Sequence, residues 1–412
     1  MAGPDADQFD AAVTGIGLVT PAGVGVAESW RRIRAGTPTA SPDPALAGLA
    51  VDFSCRVPDF DPDALLGRRR AWRFDRYTQL ALVAAREAVV DAGVDPSTWD
   101  GARVGVVIGN ALGGATTFER QHDVLREEGG DRVSGLLIPM AAMNMVAGYL
   151  AIEFGALGPN LVTATACASG TTAIGVARDL LRSGACDVVI TGGAESSLSR
   201  SVISGFARMG ALSGRRDDPA AASRPFDIGR DGFVPAEGAA VLVLERQVDA
   251  AARGARIRAL VSGYGASADA HHATAPDPGG LGAERAVRAA LADAGLAPSD
   301  VDHVNAHGTS TPLNDVTEAR MLHRVLGERP LVTSVKGVTG HSLGAAGAIE
   351  AVCAVLSVSE GIVPPTANVD SQDPEIHCEV VTKEPRSLPI WVAVSTSFGF
   401  GGQNAALVFT SP

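Results

Sequence analysis

The segment Asp91-Ala-Gly-Val-Asp-Pro-Ser97 recurs later in the chain as Asp293-Ala-Gly-Leu-Ala-Pro-Ser299. Each copy closes a predicted helix at a glycine, and a predicted strand follows within ten residues. Two unrelated helix ends would explain a single match, because Gly and Pro are common at helix C-termini. The flanking elements repeat as well, so we favour a chain of two similar halves, residues 1–255 and 256–412, packed as one unit.

The rest of the sequence alternates short β-branched runs with Ala-rich runs whose apolar residues recur at helical spacing. This alternation is typical of an α/β fold with mainly buried strands. The predicted strands cover residues 12–16, 104–108, 161–165, 188–191, 240–244, 301–305 and 331–335. The predicted helices cover residues 75–92, 171–182, 283–294, 316–326 and 343–359.

Composition narrows the function classes. The 412 residues are 46% hydrophobic, which excludes a disordered chain. A net charge of −12 argues against a broad surface for nucleic acid or for an anionic membrane. Five cysteines without a CxxC pair favour a reduced, cytoplasmic protein over a disulfide framework. Residues 1–10 lack the layout of a secretion signal, and the apolar stretch 136–152 is too short to span a bilayer.

Reactive side chains stand at three predicted strand-to-helix junctions. In the first, Leu161-Val-Thr-Ala-Thr-Ala-Cys167-Ala-Ser-Gly170, Cys167 lies at a sharp turn before a helix N-terminus. The helix dipole and the free N–H groups there favour a thiolate and can bind an oxyanion. Small neighbouring residues, which admit a substrate, favour reactivity at Cys167. We expect the commoner fate of a free thiol, inert burial, for Cys55, Cys186, Cys353 and Cys378.

The second junction, residues 301–315, places His307 at the carboxyl end of a strand, where α/β proteins carry their sites. Asp315 and Glu318 predict a capping-box-like start for the next helix. His303 lies inside the strand and is expected to be structural.

The third junction, residues 331–350, ends a strand at Lys336, one of only two lysines, and leads to His341 at the start of an apolar helix. A lone histidine in such a place is usually a core residue. Two histidines, a rare lysine and a cysteine at equivalent junctions instead favour one active site. Neither histidine pair has metal-ligand spacing, so no metal is expected.

A glycine-rich turn, Ser395-Thr-Ser-Phe-Gly-Phe-Gly-Gly-Gln-Asn404, lies near the C-terminus. It has no Walker lysine and no dinucleotide-binding spacing. We interpret it as a mobile or tightly turned wall of the active site, with a plain β-hairpin as the alternative.

Four segments together resemble elongating β-ketoacyl-acyl-carrier-protein (ACP) synthases of the type II condensing class. They are Ala164-Thr-Ala-Cys167-Ala-Ser-Gly170, Asn305-Ala-His307-Gly-Thr-Ser-Thr311, Lys336 with Gly340-His341, and Phe398-Gly-Phe400-Gly-Gly402. The resemblance covers residues 11–409. It implies a thiolase-like fold, with two duplicated βαβαβαββ halves in a five-layered α/β/α/β/α sandwich that is usually dimeric.

The resemblance also implies a decarboxylative Claisen condensation. Cys167 would accept an acyl chain from the phosphopantetheine arm of ACP and form a thioester. His307 and His341 would promote decarboxylation of malonyl-ACP and stabilise the enolate, a task that suits neutral imidazoles. No metal or organic cofactor is implied, because the substrates arrive on ACP.

Other roles follow from positions that match the family motifs. Lys336 would hold the site in register with Glu350. The backbone N–H groups of Cys167 and Phe400 would bind the oxyanion, and the Phe400 ring would act as a gate. Thr309 and Thr311 would bind the pantetheine arm, while Leu112 and Phe206 would line the acyl pocket.

Some alternatives stay open after the resemblance. Thiolases use a second cysteine and initiating synthases use Cys-His-Asn, whereas the third position here is His341. A chain-length-factor-like partner subunit would be non-catalytic, but such subunits replace the nucleophile and Cys167 is intact. Asn314 stands where fatty-acid enzymes usually have Gly and resembles polyketide subunits, whereas other segments look closer to fatty-acid enzymes. Pathway, acyl chain length, and homodimer versus heterodimer with a chain-length factor remain undecided.

The densest basic cluster is Arg68-Arg69-Arg70 with Arg73 and Arg76, at the entry of the predicted helix at residues 75–92. A solvated helix entry is the common fate of such a charge run. ACP is acidic, however, and docking to this acidic chain needs a local positive surface. We therefore expect the cluster to bind ACP.

Overall fold

The computed structural model describes residues 9–412, so residues 1–8 of the acidic N-terminus lie outside the described part. Its strands are β1 (Ala11–Thr20), β2 (Gly23–Val24), β3 (Ser41–Pro42), β4 (Phe53–Ser54), β5 (Val104–Gly109), β6 (Asn160–Thr163), β7 (Val188–Glu195), β8 (Gly238–Arg246), β9 (Ala259–Ala268), β10 (His303–Asn305), β11 (Leu331–Thr333), β12 (Ile362–Val363), β13 (Glu379–Val380), β14 (Arg386–Ser387), β15 (Val392–Gly399) and β16 (Gln403–Thr410).

The α-helices of the same region are α1 (Val26–Arg34), α2 (Pro62–Leu66), α3 (Arg68–Ala71), α4 (Arg76–Asp91), α5 (Ala115–Glu128), α6 (Leu137–Ala141), α7 (Met145–Phe154), α8 (Ser169–Arg182), α9 (Arg200–Arg208), α10 (Gln247–Ala252), α11 (Leu281–Asp293), α12 (Pro312–Leu326), α13 (Lys336–Thr339) and α14 (Ala346–Glu360).

The main sheet repeats one strand pattern in both halves. From its centre outward, one arm runs β1-β8-β7-β5-β6 and the other runs β9-β16-β15-β10-β11-β13. In each arm the first two pairings are antiparallel and the following ones are parallel, and β1 joins β9 at the centre. The expected duplication is therefore confirmed. The division after residue 255 stays a prediction.

Helices cover the sheet in layers. Helices α4 and α7 pack on the outer face of the first arm, and α11 and α12 pack on the outer face of the second. Helices α8 and α14 lie between the two arms and form the central core with apolar residues of both. This arrangement confirms the five-layered α/β/α/β/α sandwich.

Glycines bring each outer helix against its strand in the same way in both halves. A Cβ at Gly17 of β1 would lie 1.9 Å from the Ala84 carbonyl oxygen of α4. A Cβ at Gly265 of β9 would lie 2.1 Å from the Ala286 carbonyl oxygen of α11. Only a residue without a side chain allows this contact, so the repeated sequence encodes a repeated packing.

Several element boundaries differ from expectation. Helix α12 begins at Pro312 rather than at residue 316, and its N-cap residue is Thr311. The capping box expected from Asp315 and Glu318 is therefore wrong, because both residues lie inside the helix and are buried. The glycine-rich segment near the C-terminus forms the tight turn of the β15–β16 hairpin.

One helical segment among the described residues, Leu343–Glu360, is long and apolar enough to cross a membrane. Of its length, 89% is buried inside the protein. It includes α14, whose position between the two sheet arms accounts for its apolar character.

Replacing Gly265 with alanine should lower the free energy of unfolding by about 2–3 kcal/mol, because the new methyl group overlaps backbone of α11. Chemical denaturation measures this change. The matched control is Gly205→Ala in α9, where a Cβ meets nothing within 4 Å and helix propensity favours alanine. Equal stabilities of the two variants would contradict the packing argument.

Candidate active site

Cys167 lies in a single 3-10 turn, Ala166–Ala168, between β6 and α8. The turn is tight, because Ala166 adopts a left-handed φ of 49°. The Ser169 hydroxyl stabilises the turn by donating to the Ala166 carbonyl oxygen and accepting from the Thr165 N–H. The sharp strand-to-helix junction is confirmed, with α8 starting at Ser169 rather than at residue 171.

His341 meets this thiol. Its Nε2 lies 3.2 Å from Cys167 Sγ. The backbone of His341 is fixed on both sides, since its N–H donates to the Val234 carbonyl oxygen and its own carbonyl accepts from the Ala236 N–H. The ring of Phe233 packs edge-on against the imidazole at 5.2 Å. These contacts hold one nitrogen of His341 at the sulfur.

His307 completes the group from the end of β10. Its ring centroid lies 5.4 Å from that of His341, and the two planes are nearly perpendicular. Lys336 Nζ lies 3.4 Å from His307 Nδ1 and 2.5 Å from the His307 carbonyl oxygen. An ammonium only donates, so Nδ1 accepts and the ring proton is on Nε2. His307 is therefore set to donate a hydrogen bond from Nε2.

Lys336 is buried, with 1% of its surface exposed. Its ammonium group also forms an ion pair with Glu350 of α14. Burial raises the pKa of Glu350 to about 7, and the charge of Lys336 acts in the opposite direction. The pair links α13 to α14 as expected, while Lys336 also reaches the His307 backbone.

Burial sets the protonation state of the reactive groups. It lowers the pKa of His307 and of His341 well below the usual histidine value, and the Lys336 charge lowers both further. Both imidazoles are therefore neutral at physiological pH. Burial raises the pKa of the Cys167 thiol to about 11, although Lys336 and the Phe400 backbone N–H lower it. Lost solvation therefore works against the thiolate that the helix N-terminus was expected to favour.

A cavity of about 950 Å³ opens onto these groups. Its walls combine apolar and hydroxyl side chains around the thiol and the two imidazoles. Four of the expected substrate-binding residues line the cavity, as does the expected gate residue Phe400. The four are Leu112, Phe206, Thr309 and Thr311. Lys336 and Glu350 lie behind the wall, so they act on the reaction through the groups that they contact.

The basic cluster lies elsewhere. Arg70 and Arg73 border a separate crevice of about 610 Å³, together with Trp72 and Tyr149. Arg70 forms an ion pair with Glu153, and the Arg73 guanidinium stacks over Trp72 at 5.5 Å. The structure therefore does not place these arginines in the wall of the reactive cavity.

Glu318 is a site residue that sequence reasoning missed. Its Oε1 accepts from the His307 N–H at 2.8 Å and from the Thr396 hydroxyl at 2.7 Å, and its Oε2 accepts from the Gly308 N–H at 2.8 Å. Asn314 also donates to Glu318. Glu318 shares the buried side of α12 with Ala319 and Leu322. A carboxylate on the apolar face of a predicted helix is therefore the sequence feature that could have identified it.

The grouping has a second chemical reading. The ligand atoms of Cys167, His307 and His341 all lie within 4.8 Å of one another, a spacing that would also suit a metal ion. The spacing of the histidines along the chain did not indicate such a site. The expectation of no metal stays a prediction.

Two family models match the chain: "Beta-ketoacyl synthase, N-terminal domain" over residues 9–250 and "Beta-ketoacyl synthase, C-terminal domain" over residues 258–370. The chain is also similar to a 3-oxoacyl-[acyl-carrier-protein] synthase 2 from Synechocystis sp. The two are 44% identical over 404 residues, which cover 96% of this chain and 97% of that protein.

Solved structures give the same result. The ishigamide ketosynthase/chain length factor superposes with a TM-score of 0.92 at 33% identity, covering 98% of this chain and 100% of the matched one. A ketosynthase bound to the hexaketide, in complex with its type II PKS acyl-carrier protein, superposes with a TM-score of 0.89 at 32% identity and the same coverage.

His307 and His341 should remain neutral well below pH 6.5. Unfolded histidines titrate near that value, at about 6.5, so below it the unfolded chain binds more protons than the folded one. The two residues therefore lower the free energy of unfolding as the pH falls below about 6.5. NMR titration of histidine-labelled protein checks this, with the His307→Ala and His341→Ala variants providing assignments. A midpoint at or above 6.5 for either ring would contradict the electrostatic argument.

Proposed function

This chain belongs to the beta-ketoacyl synthase family, and we propose that Cys167, His307 and His341 carry out its reaction. The chain is a 3-oxoacyl-ACP synthase: it joins an acyl chain to malonyl-ACP by decarboxylative Claisen condensation, in fatty-acid or polyketide biosynthesis. One observation supports the residue assignment above all others. The thiol and both neutral imidazoles open onto a single cavity.

In the first half-reaction, Cys167 Sγ attacks the thioester carbonyl of acyl-ACP. His341 Nε2, 3.2 Å away, accepts the thiol proton. The tetrahedral intermediate collapses, the pantetheine sulfur leaves and takes up that proton, and the acyl chain remains on Cys167. A neutral thiol that is deprotonated only during attack agrees with its raised pKa.

In the second half-reaction, malonyl-ACP enters the same cavity. His307 donates from Nε2 to the malonyl thioester oxygen. His341 provides a second donor beside it when its neutral ring carries the proton on Nε2, the opposite tautomer to the one that accepts the thiol proton. Loss of CO₂ leaves the electron pair in an enolate whose oxygen charge these N–H groups stabilise. Neutral donors suit the step, since an imidazolium would hand over its proton.

The enolate carbon then attacks the acyl carbonyl on Cys167. The carbonyl oxygen becomes an oxyanion, for which the backbone N–H groups of Cys167 and Phe400 are the donors. The Phe400 N–H is close enough to Cys167 to lower the pKa of its thiol. Expulsion of the Cys167 sulfur as a thiolate releases β-ketoacyl-ACP, and a proton taken up from solvent restores the thiol.

The cavity walls divide between the two parts of the substrate. The hydroxyl groups of Thr309 and Thr311, 2.9 Å apart, line one side and are suited to the amides of the pantetheine arm. Leu112 and Phe206 offer an apolar wall for the acyl chain. The ring of Phe206 lies 6.3 Å from that of Phe400, so a gate at Phe400 would adjoin the acyl pocket.

We propose that the chain forms a dimer through the β6 edge, with a second copy or a chain-length-factor-like subunit as partner. Strand β6 ends the sheet, and 43% of Leu161 in it is exposed. Ile152 of α7, a helix that contacts β6, is exposed by 74%. An unpaired strand edge with apolar surface is a pairing site. Native mass spectrometry checks this, and a mass near 42.0 kDa for the active species would contradict it.

Cys167→Gln should retain or increase malonyl-ACP decarboxylation, because the amide resembles an acylated cysteine. Adding His307→Ala to that variant should lower the decarboxylation rate by roughly 10²–10³, the cost of an oxyanion donor. Release of CO₂ is the measurement. Cys167→Ala, which fits the turn, is the control and should accept no acyl group. Unchanged decarboxylation after loss of His307 would refute its role.

The ACP contact is a separate proposal, in which the exposed Arg68 and Arg69 dock the acidic carrier together with Arg70. Changing all three to Glu should weaken ACP-dependent turnover, mainly through slower association, and flatten its salt dependence. Acylation by a small pantetheine thioester should be almost unchanged.

A matched control changes Arg288, Arg320 and Arg329 to Glu on the outer layer of the other half. This control makes the same change in net charge at surface ion pairs that contribute little to stability. If turnover with ACP and with the small thioester fell equally in the Arg68, Arg69 and Arg70 variant, the cluster would be structural.

A further inference from the structure

Glu195, the last residue of β7, is completely buried and has no part in the mechanism above. Its Oε2 accepts from the Ala111 N–H at 2.8 Å and from the Leu112 N–H at 3.3 Å. The backbone of Gly344 provides a further hydrogen bond, and the Ser197 hydroxyl donates to Oε1. One carboxylate therefore binds two loops that are far apart in sequence.

Both loops are walls of the reactive cavity. Ala111 and Leu112 follow β5 and line the acyl pocket, and Leu343 lines the cavity just before Gly344. Leu343 also sits two residues after His341 and adopts a left-handed φ of 46°. The two loops and Glu195 pack closely together, a contact that we call the joint. A Cβ at Gly344 would lie 2.5 Å from the Ala111 nitrogen and 2.9 Å from Glu195 Oε2.

Burial of the Glu195 carboxyl lowers the stability of the folded protein. Burial also raises the pKa of this carboxyl to about 7, and the groups that oppose the rise are hydrogen-bond donors of the two loops and Ser197. Among the ion pairs of residues 9–412, none includes Glu195. An unpaired buried carboxyl costs stability, whereas an apolar residue of similar size would fill the same space.

We propose that Glu195 is a positioning residue that fixes the acyl-pocket wall at Leu112 to the turn after His341, and so determines which acyl chains the pocket accepts. The inference rests on the proposed function, in which the acyl chain lies beside Leu112. The wall lines the same cavity as Cys167. A long acyl chain buries more surface against it than an acetyl group does, so binding of a long chain depends more on the wall being held in place.

The test compares acyl transfer to Cys167 from acetyl-, octanoyl- and hexadecanoyl-ACP by intact-protein mass spectrometry. Glu195→Ala removes every acceptor of the joint, and Glu195→Asp keeps the charge but is too short to reach both loops. We measure the ratio of the transfer rate of a long acyl chain to the transfer rate of acetyl. In both variants this ratio should change by about tenfold relative to the unsubstituted protein, as expected for altered pocket contacts. Glu195→Gln keeps one oxygen for the N–H groups and should restore a ratio within about twofold.

Glu245 supplies the matched control, because it is a buried carboxyl of β8 that bonds to Arg253 and Thr14 away from the cavity. Glu245→Ala should leave the ratio unchanged even where it lowers stability. If Glu195→Ala does not fold, Glu195→Asp carries the test. An unchanged ratio in a folded Glu195→Ala or Glu195→Asp protein would overturn the inference. If the unsubstituted protein takes no acyl group from any donor, the proposed function fails instead.

Discussion

The buried ammonium group of Lys336 is the charge on which the whole site depends. It pairs with Glu350 and donates to the backbone carbonyl of His307. In a poorly solvated interior its field is strong, and it lowers the pKa of both imidazoles and of the Cys167 thiol. Burial is the larger cause of the neutral state of His307 and His341, and this cation adds to it while easing loss of the thiol proton. A lysine in water would do neither.

Such electrostatics need fixed distances, and these come from the two central helices. A Cβ at Gly170 of α8 would lie 2.6 Å from the Ala348 nitrogen of α14, and a Cβ at Gly347 would lie 2.1 Å from Thr171 Oγ1. The helices therefore cross where both lack side chains. This close crossing places the turn before α8 next to the loop before α14. Cys167 of the first half therefore contacts His341 of the second half.

The division into two halves and the positions of the reactive residues could be predicted from the sequence, because both follow from local patterns. The repeated helix end encoded the two halves, and the three junctions encoded the positions of Cys167, His307 and His341. The role of Glu318 could not be assigned from its position in the sequence. The same pattern of residues fits a Glu that caps a helix and a Glu that is buried inside one, and only the tertiary packing distinguishes the two. The resting state of Cys167 depends on how much solvent the fold removes, which no short motif records.

The most direct measurement is peptide mapping of the protein after incubation with an acyl-ACP and then with malonyl-ACP. All five cysteines are buried, so burial alone does not select among them. We expect one acyl group, on the peptide that contains Cys167, which malonyl-ACP then removes as β-ketoacyl-ACP with release of CO₂. An acyl group on any other cysteine, or one on Cys167 that malonyl-ACP does not remove, would contradict it.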